Sequence, residues 1–318
     1  MFQYVLAADL GGTNLRMAVV ARDGHIVHRE RCSTPRSGDA SLIVSTIADL
    51  VKRCKQYIGS ERFIVGIAAP IIMDLAAGRI GTSPNLPMLD GFPLRSEVEK
   101  MVGVTTILEN DATAAAIGEH WLGASRNIDN SICVTLGTGV GGGLILNGQP
   151  HRGPDGTAGE IGHISVEPEG HPCGCGSRGC LEQYSSATAV VRMTRELTVN
   201  MQSDLAGRDD LTAEVIYDAA MNGDRVARQA YQKMGYYLGI ALADLINILN
   251  PEVIILAGGL AAGWDAFVGE TREQVEKRAF RVPATRVKLV RAELGDDAGM
   301  LGVASVAFSS IVQGQKGA

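Results

Sequence analysis

Two stretches set the frame into which this chain must fold: LAADLGGTNLRMAVV near the start and SICVTLGTGVGGGLIL at 131–146. Each joins a β-forming apolar run to a second one through a short turn of Gly and Thr. A strand–glycine turn–strand unit at the head of each half predicts a duplicated architecture.

The rest of the pattern extends that frame. After the first hairpin come the turn RDG and the run HIVHRERC, which completes a three-stranded meander. From Asp39 onward Ile43, Ile47, Val51 and Cys54 recur at helical spacing, predicting a helix with one face on the sheet. FIVGIAAP, PLRSEVEKMV and VTTILEN then read as strand, helix and strand. In the second half TAVVRMTREL, LTAEVIYDAA and DRVARQAYQKMGYYLGIALADLINIL read as helices. PEVIILAGG and VKLVRAEL read as strands, and DDAGMLGVASVAFSSIV as a closing helix. An antiparallel start that gives way to strand–helix alternation predicts an α/β chain of mixed sheets flanked by helices.

The turns carry chemistry as well as topology. Gly11, Gly12 and Thr13 stand where a strand reverses; glycine there permits positive φ and lets backbone N–H groups approach an anion. One such turn serves any hairpin. With Asp9 before it, LGTGVGG (Gly137, Thr138 and Gly139 onward) and LAGGLA (Gly258, Gly259), the chain has three turns suited to one polyphosphate nucleotide. No GKS or GKT follows a glycine loop, so this is not a Walker A motif.

GHISVEPEGHPCGCGSRGCLEQ, residues 162–183, holds three of the six cysteines and two of the six histidines. Cys173, Cys175 and Cys180, spaced by 2 and 5 in a Gly-rich loop, can converge on one ion. Three sulfurs and one imidazole would close a tetrahedral structural zinc site, with His163 and His171 both available as the fourth ligand. Glu160 lies three residues before His163 and Glu182 two after Cys180, so a metal joining those ends would fix both carboxylates. Cys32, Cys54 and Cys133 lie in apolar or strand-like surroundings and read as small core residues.

Composition narrows the partners. The 318 residues are 46% hydrophobic and 20% charged, enough apolar content for two cores. With 29 Lys+Arg against 35 Asp+Glu the net charge is −6, with no run of like charge. Neither a nucleic-acid arm nor a membrane patch is expected, and small molecules are. MFQYVLAADL is apolar over too few residues for a signal peptide or a membrane span and reads as a strand of a cytoplasmic protein.

Taken together these residues resemble the ROK family of sugar kinases and related repressors, within the sugar kinase/actin/Hsp70-like (ribonuclease H-like) fold group, and the likeness runs over nearly the whole chain. DLGGTNLR is similar to the family's first phosphate motif (Asp9 to Asn14), ENDATAAAIGE to its catalytic segment, LGTGVGGG to the second phosphate motif and LAGGL to the nucleoside turn. GHISVEPEGHPCGCGSRGCLE resembles its zinc signature, which selects His163 over His171 as ligand beside Cys173, Cys175 and Cys180.

The resemblance implies a two-lobed fold, with 1–110 plus 298–318 as the N-terminal lobe and 111–297 as the C-terminal lobe carrying the zinc segment. It implies hexose contacts at Asn85, Asn110, Asp111, Glu160, His163 and Glu182, with Asp111 as general base. Asp9 would hold Mg²⁺ for ATP beside Gly11, Gly12, Thr13 and Asn14, with Gly137, Thr138, Gly139, Gly258 and Gly259 completing the nucleotide site. Family habit further implies a homodimer. Two departures bear on the sugar: Ile71, bulkier than the glycine the family often has there, should narrow the space near the sugar, and PNLPMLD has no tryptophan after PNLP.

Three function classes follow: hexose kinase, repressor and non-catalytic sugar sensor. Only eight residues precede Asp9, too few for a helix-turn-helix domain, and a sensor would not need Asp111 and intact glycine turns. The expectation is an ATP-dependent kinase acting on the 6-hydroxyl of a hexose, glucose first, with N-acetylglucosamine, mannose and fructose as alternatives.

Overall fold

The structure is a computed structural model and describes residues 2–36, 38–74, 79–83 and 86–314. Asn85 lies outside them. Contacts divide the chain into two compact units, one of 1–129, 143–159 and 293–318, the other of 130–142 and 160–292.

The elements of the first part run β1 (Tyr4–Leu10), β2 (Asn14–Ala21), β3 (Ile26–Ser33), α1 (Ser41–Lys55), β4 (Phe63–Ala69), β5 (Ile72–Asp74), β6 (Arg79–Thr82), α2 (Leu94–Val102), β7 (Thr106–Asn110) and α3 (Asp111–Leu122). There follow β8 (Ser131–Leu136), β9 (Val140–Leu146), β10 (Gln149–Pro150), α4 (Glu182–Ser185), α5 (Ala187–Thr198), α6 (Ala213–Met221) and α7 (Arg225–Leu249). The chain closes with β11 (Val253–Ala257), α8 (Trp264–Arg278), α9 (Arg281–Arg286), β12 (Lys288–Arg291) and α10 (Ala298–Gly314).

Two five-stranded sheets have the same plan. Their orders are β3-β2-β1-β4-β7 and β10-β9-β8-β11-β12, so in each the first strand is central, with the next two on one side and the last two on the other. In the first sheet β1 to β3 are antiparallel while β4 and β7 run parallel to β1. In the second, β11 runs parallel to both β8 and β12. The duplicated architecture expected from the two glycine hairpins is therefore a duplicated topology.

Strand periodicity splits the first core in two. Leu6, Ala8, Leu10, Val65 and Ile67 join one apolar cluster with Ile43, Ile47 and Cys54 of α1, while Val5, Ala7, Ile64 and Ala68 join another with Met300, Val303 and Ala304 of α10. A strand alternates its faces at period two, so both faces of a covered sheet must be apolar.

Close helix packing also decides where α3 belongs. A Cβ on Gly302 would fall 1.7 Å from the Ala114 carbonyl oxygen, and one on Gly118 2.2 Å from that of Ala298. The backbones of α3 and α10 therefore touch. The sequence expectation changes lobe at 110/111 and 297/298, whereas these contacts group α3, and with it Asp111, with the first unit.

Helix α8 has no counterpart in the sequence expectation. Its buried face includes Thr271 and Gln274 beside Phe267, Val268 and Val275, so its apolar period is weak. Glycine supplies the fit instead: a Cβ on Gly235 of α7 would lie 2.5 Å from the Phe267 carbonyl oxygen. The strand expected over VKLVRAEL stops at Arg291, because the Glu293 and Leu294 N–H groups donate to the fully buried Glu119 carboxylate at 3.2 and 2.9 Å.

Candidate active site

In the first unit, the carboxyl ends of parallel strands gather the expected residues. Asp9 at the end of β1 registers with Ala68 of β4, and Ala69 with Asn110 at the end of β7. Such strand ends are where open α/β sheets bind ligands.

Asn110 is the N-cap of α3, its Oδ1 accepting the Thr113 N–H at 2.9 Å, while its Nδ2 donates to the Ile71 carbonyl at 3.2 Å. Asp111 is the first helical residue, with Oδ1 accepting the Ala112 N–H at 2.8 Å. Capping thus falls to Asn110, which leaves the Asp111 carboxylate at a helix N-terminus. Desolvation pushes the Asp111 pKa up against the backbone N–H groups that lower it. Asp9 is pushed up to about 6, by burial first and then by the Asp111 charge, with Arg16 opposing. Asp9 thus feels the charge of Asp111, the situation a bound cation relieves. Ile71, expected to narrow the sugar pocket, instead buries its side chain in the core with Leu86 and Leu89, so its link to the site is the carbonyl that orients Asn110.

Sequence reasoning missed several residues that hold this edge. The Arg152 Nε and Nη2 donate to Glu109 Oε2 at 2.9 and 2.5 Å, and Glu109 Oε1 accepts the Asn110 N–H at 3.0 Å. Glu109 is only 2% exposed, and this partly buried ion pair directly precedes Asn110 and Asp111. The first glycine turn is strapped by Arg36, whose Nε donates to the Gly12 carbonyl at 2.9 Å and Nη2 to Thr13 Oγ1 at 3.3 Å. Arg31 donates to Asn14 Oδ1 at 2.9 Å. Isolated arginines carry no spacing signal, because their targets lie far away along the chain.

In the second unit, the two expected nucleotide turns meet. Ala257 of β11 registers with Thr135 of β8, so Gly258 follows one parallel strand where Gly137 follows its neighbour. Gly258 has φ +86°, and a Cβ there would fall 2.3 Å from the Leu136 carbonyl oxygen. Positive φ is the reason expected for the glycines of the first hairpin, but Gly11 does not adopt the left-handed region, and neither do Gly137 and Gly139 of the second. At Gly139 a Cβ would lie 2.3 Å from Glu182 Oε2, so a side chain there would push that carboxylate aside. A cavity of about 500 Å³ opens beside Thr138, lined by Thr188, Val191, Arg195 and Thr212 among others. It has room for a nucleoside.

The cysteine segment closes on itself. The ligand atoms of His163, Cys173, Cys175 and Cys180 all lie within 4.8 Å of one another. His171 is elsewhere, its Nε2 2.6 Å from Arg192 Nη1, so the geometry brings in His163. Cys175 Sγ and Cys180 Sγ are 3.7 Å apart, and Cys173 Sγ lies 3.6 Å from His163 Nδ1. With Zn–S about 2.3 Å and Zn–N about 2.05 Å, a regular tetrahedron has S···S edges of about 3.75 Å and S···N edges of about 3.6 Å. The donor set therefore fits zinc. Burial and the neighbouring thiols push Cys180 up to about 12, a cost to the thiolate that a cation removes. His163 turns Nδ1 to the cysteines and Nε2 toward Glu160 Oε2, 3.9 Å away. Glu182 reaches the glycine turn, its Oε2 accepting the Val140 N–H at 3.0 Å.

Known proteins give this geometry a setting. Residues 5–309 match the ROK family. A glucokinase of Halalkalibacterium halodurans is 38% identical, the match covering 94% of this chain and 93% of that one, and a glucokinase of Thermotoga maritima is 36% identical over 95% and 96%. Among solved structures, a ROK family glucokinase from Streptomyces griseus in complex with glucose and AMPPNP superposes with a TM-score of 0.83 at 34% identity, covering 95% of this chain and 98% of that one. The shared sheet plan, the paired glycine turns and these near full-length matches have one source: the chain belongs to the ROK family.

Proposed function

We propose that this protein phosphorylates glucose at its 6-hydroxyl with ATP as donor. The observation that carries the reading is Asp111, a desolvated carboxylate at the N-terminus of α3 whose raised pKa makes it a stronger base. Glucokinases that match along almost their full length, one solved with glucose and an ATP analogue, support the choice of reaction and sugar.

In this reading a sugar hydroxyl attacks the γ-phosphoryl group, its proton passes to Asp111 Oδ, and ADP leaves. Asn110, held by Ile71 and Thr113, orients the sugar beside the base. We assign further hexose contacts to Asn85, Glu160, His163 and Glu182. The backbone N–H groups of the Gly11–Gly12 and Gly137–Gly139 turns take the phosphates, with Thr13, Asn14, Gly258 and Gly259 completing the nucleotide site. Mg²⁺ at Asp9, directly or through water, would neutralise charge on the phosphates.

Zinc on His163, Cys173, Cys175 and Cys180 would have a closed shell and supply folding energy while tethering Glu160 and Glu182. A cytoplasmic homodimer is the family-based expectation, checked by light scattering and fractionation. Among the described residues no helix is long and apolar enough to cross a membrane.

Coupled turnover with ATP and Mg²⁺ on a panel of hexoses tests the assignment. The expected kcat/KM for glucose exceeds those for N-acetylglucosamine and fructose by at least about tenfold. A better N-acetylglucosamine rate would leave the kinase and overturn the sugar.

A further inference from the structure

One carboxylate in the second unit, assigned above to the hexose, also touches the proposed nucleotide turn. Glu182 opens α4 two residues after Cys180, whose segment is pinned by Leu181 N–H donating to the Ile164 carbonyl at 2.8 Å. Its Oε2 accepts the Val140 N–H at 3.0 Å and lies where a Cβ on Gly139 would come within 2.3 Å. The same stretch of chain grips the turn twice more. The Ala187 N–H donates to the Gly137 carbonyl at 2.8 Å, and Thr188 Oγ1 donates to the Thr138 carbonyl at 2.9 Å. Two turn carbonyls and the amide that follows them are thus held by residues 182–188.

We infer that Glu182 is a positioning residue for the 137–140 turn, so that it sets nucleotide affinity as well as meeting the hexose. Fixing both turn carbonyls from one side leaves the backbone between them a single arrangement, and the Glu182 contact keeps the turn against α4. A hydrogen bond from a sugar hydroxyl to the other carboxylate oxygen would restrict the same side chain. Hexose would then tighten nucleotide, and by thermodynamic reciprocity nucleotide would tighten hexose by the same factor. A side chain at 139 would displace the same carboxylate.

This rests on the reading that the turn holds nucleotide, and the experiment separates the two. Calorimetry would measure the Kd of Mg²⁺·AMPPNP, with and without glucose, for wild type, Glu182→Gln, Glu182→Ala and Thr188→Val. Bound zinc and Tm would be recorded for each. Glutamine keeps an acceptor for the Val140 N–H and alanine does not. In the absence of glucose, Glu182→Ala should weaken nucleotide by about 5- to 10-fold, while Glu182→Gln stays within about 2-fold of wild type and both weaken glucose.

Thr188→Val, which leaves Glu182 and the cysteines in place, should weaken nucleotide about 3-fold or more with glucose affinity alone unchanged. Unchanged nucleotide affinity in Glu182→Ala, or in Thr188→Val should the alanine variant lose zinc or fold, overturns the inference. Hydrogen exchange of the 137–140 segment in wild type tests the underlying reading: if AMPPNP does not protect it, the nucleotide assignment fails first.

Discussion

Asparagine at position 9 separates what Asp9 costs the fold from what it does for catalysis. In the folded protein the Asp9 carboxyl holds its proton up to about 6, against an ordinary value of 3.8, because it is buried beside Asp111. Between those values the folded state binds more protons than the unfolded chain, so stability falls as pH rises through the window. At about 1.4 kcal/mol per pH unit, the difference amounts to about 3 kcal/mol once pH exceeds 6. The asparagine side chain has no proton to lose. Asp9→Asn should therefore be more stable than wild type by about 1 kcal/mol at pH 4.5, rising to about 3 kcal/mol at pH 8.

The assay is urea denaturation of nucleotide- and magnesium-free protein across that pH range, both proteins in the same buffers. Adding Mg²⁺ and ATP should raise the stability of wild type and not of the variant, because a cation removes the penalty on the ionised carboxylate. Phosphoryl transfer should be lost in the variant with glucose affinity largely kept. A variant less stable than wild type at pH 8, or a difference that does not grow with pH, would refute the reasoning.

Asp111→Asn keeps shape and hydrogen bonding but removes the proton acceptor, so turnover should fall by about 100-fold or more with glucose binding changed far less, read by single-turnover kinetics and calorimetry. Cys175→Ser removes one of the three sulfurs of the donor set. Elemental analysis should find about one zinc per wild-type chain and none in the variant, with weaker glucose binding although Cys175 is not a sugar contact. Glu119→Ala strips the acceptor from the N–H groups of Ala124, Glu293 and Leu294 and should cost about 3 kcal/mol or more in denaturant unfolding. Glu119→Gln, which keeps one acceptor oxygen, should cost less.

Much of the design lies in local sequence. The two glycine hairpins announce the duplicated topology, since a strand that reverses at glycine and continues apolar has few other fates. The apolar period of Ile43, Ile47, Val51 and Cys54 gives α1, and all four are buried. Three cysteines within eight residues are legible as a metal loop because their separation is set by the loop itself. What sequence left open is what depends on residues far apart meeting. The choice of His163 over His171 rests, from residues alone, on nothing; the fold decides it by turning His171 to Arg192. Ile71 reads as a pocket residue until the core of the first unit takes its side chain.

Arg152, Arg36 and Glu119 show no pattern along the chain, because each serves backbone or charge that the fold brings from elsewhere. The raised pKa values of Asp9 and Asp111 belong to tertiary structure as well. Residues 9 and 111 share an electrostatic environment only because β1, β4 and β7 run parallel and end at the same edge. Periodicity and turn chemistry are properties of neighbours in the chain, whereas desolvation and hydrogen-bond partnership are properties of neighbours in space.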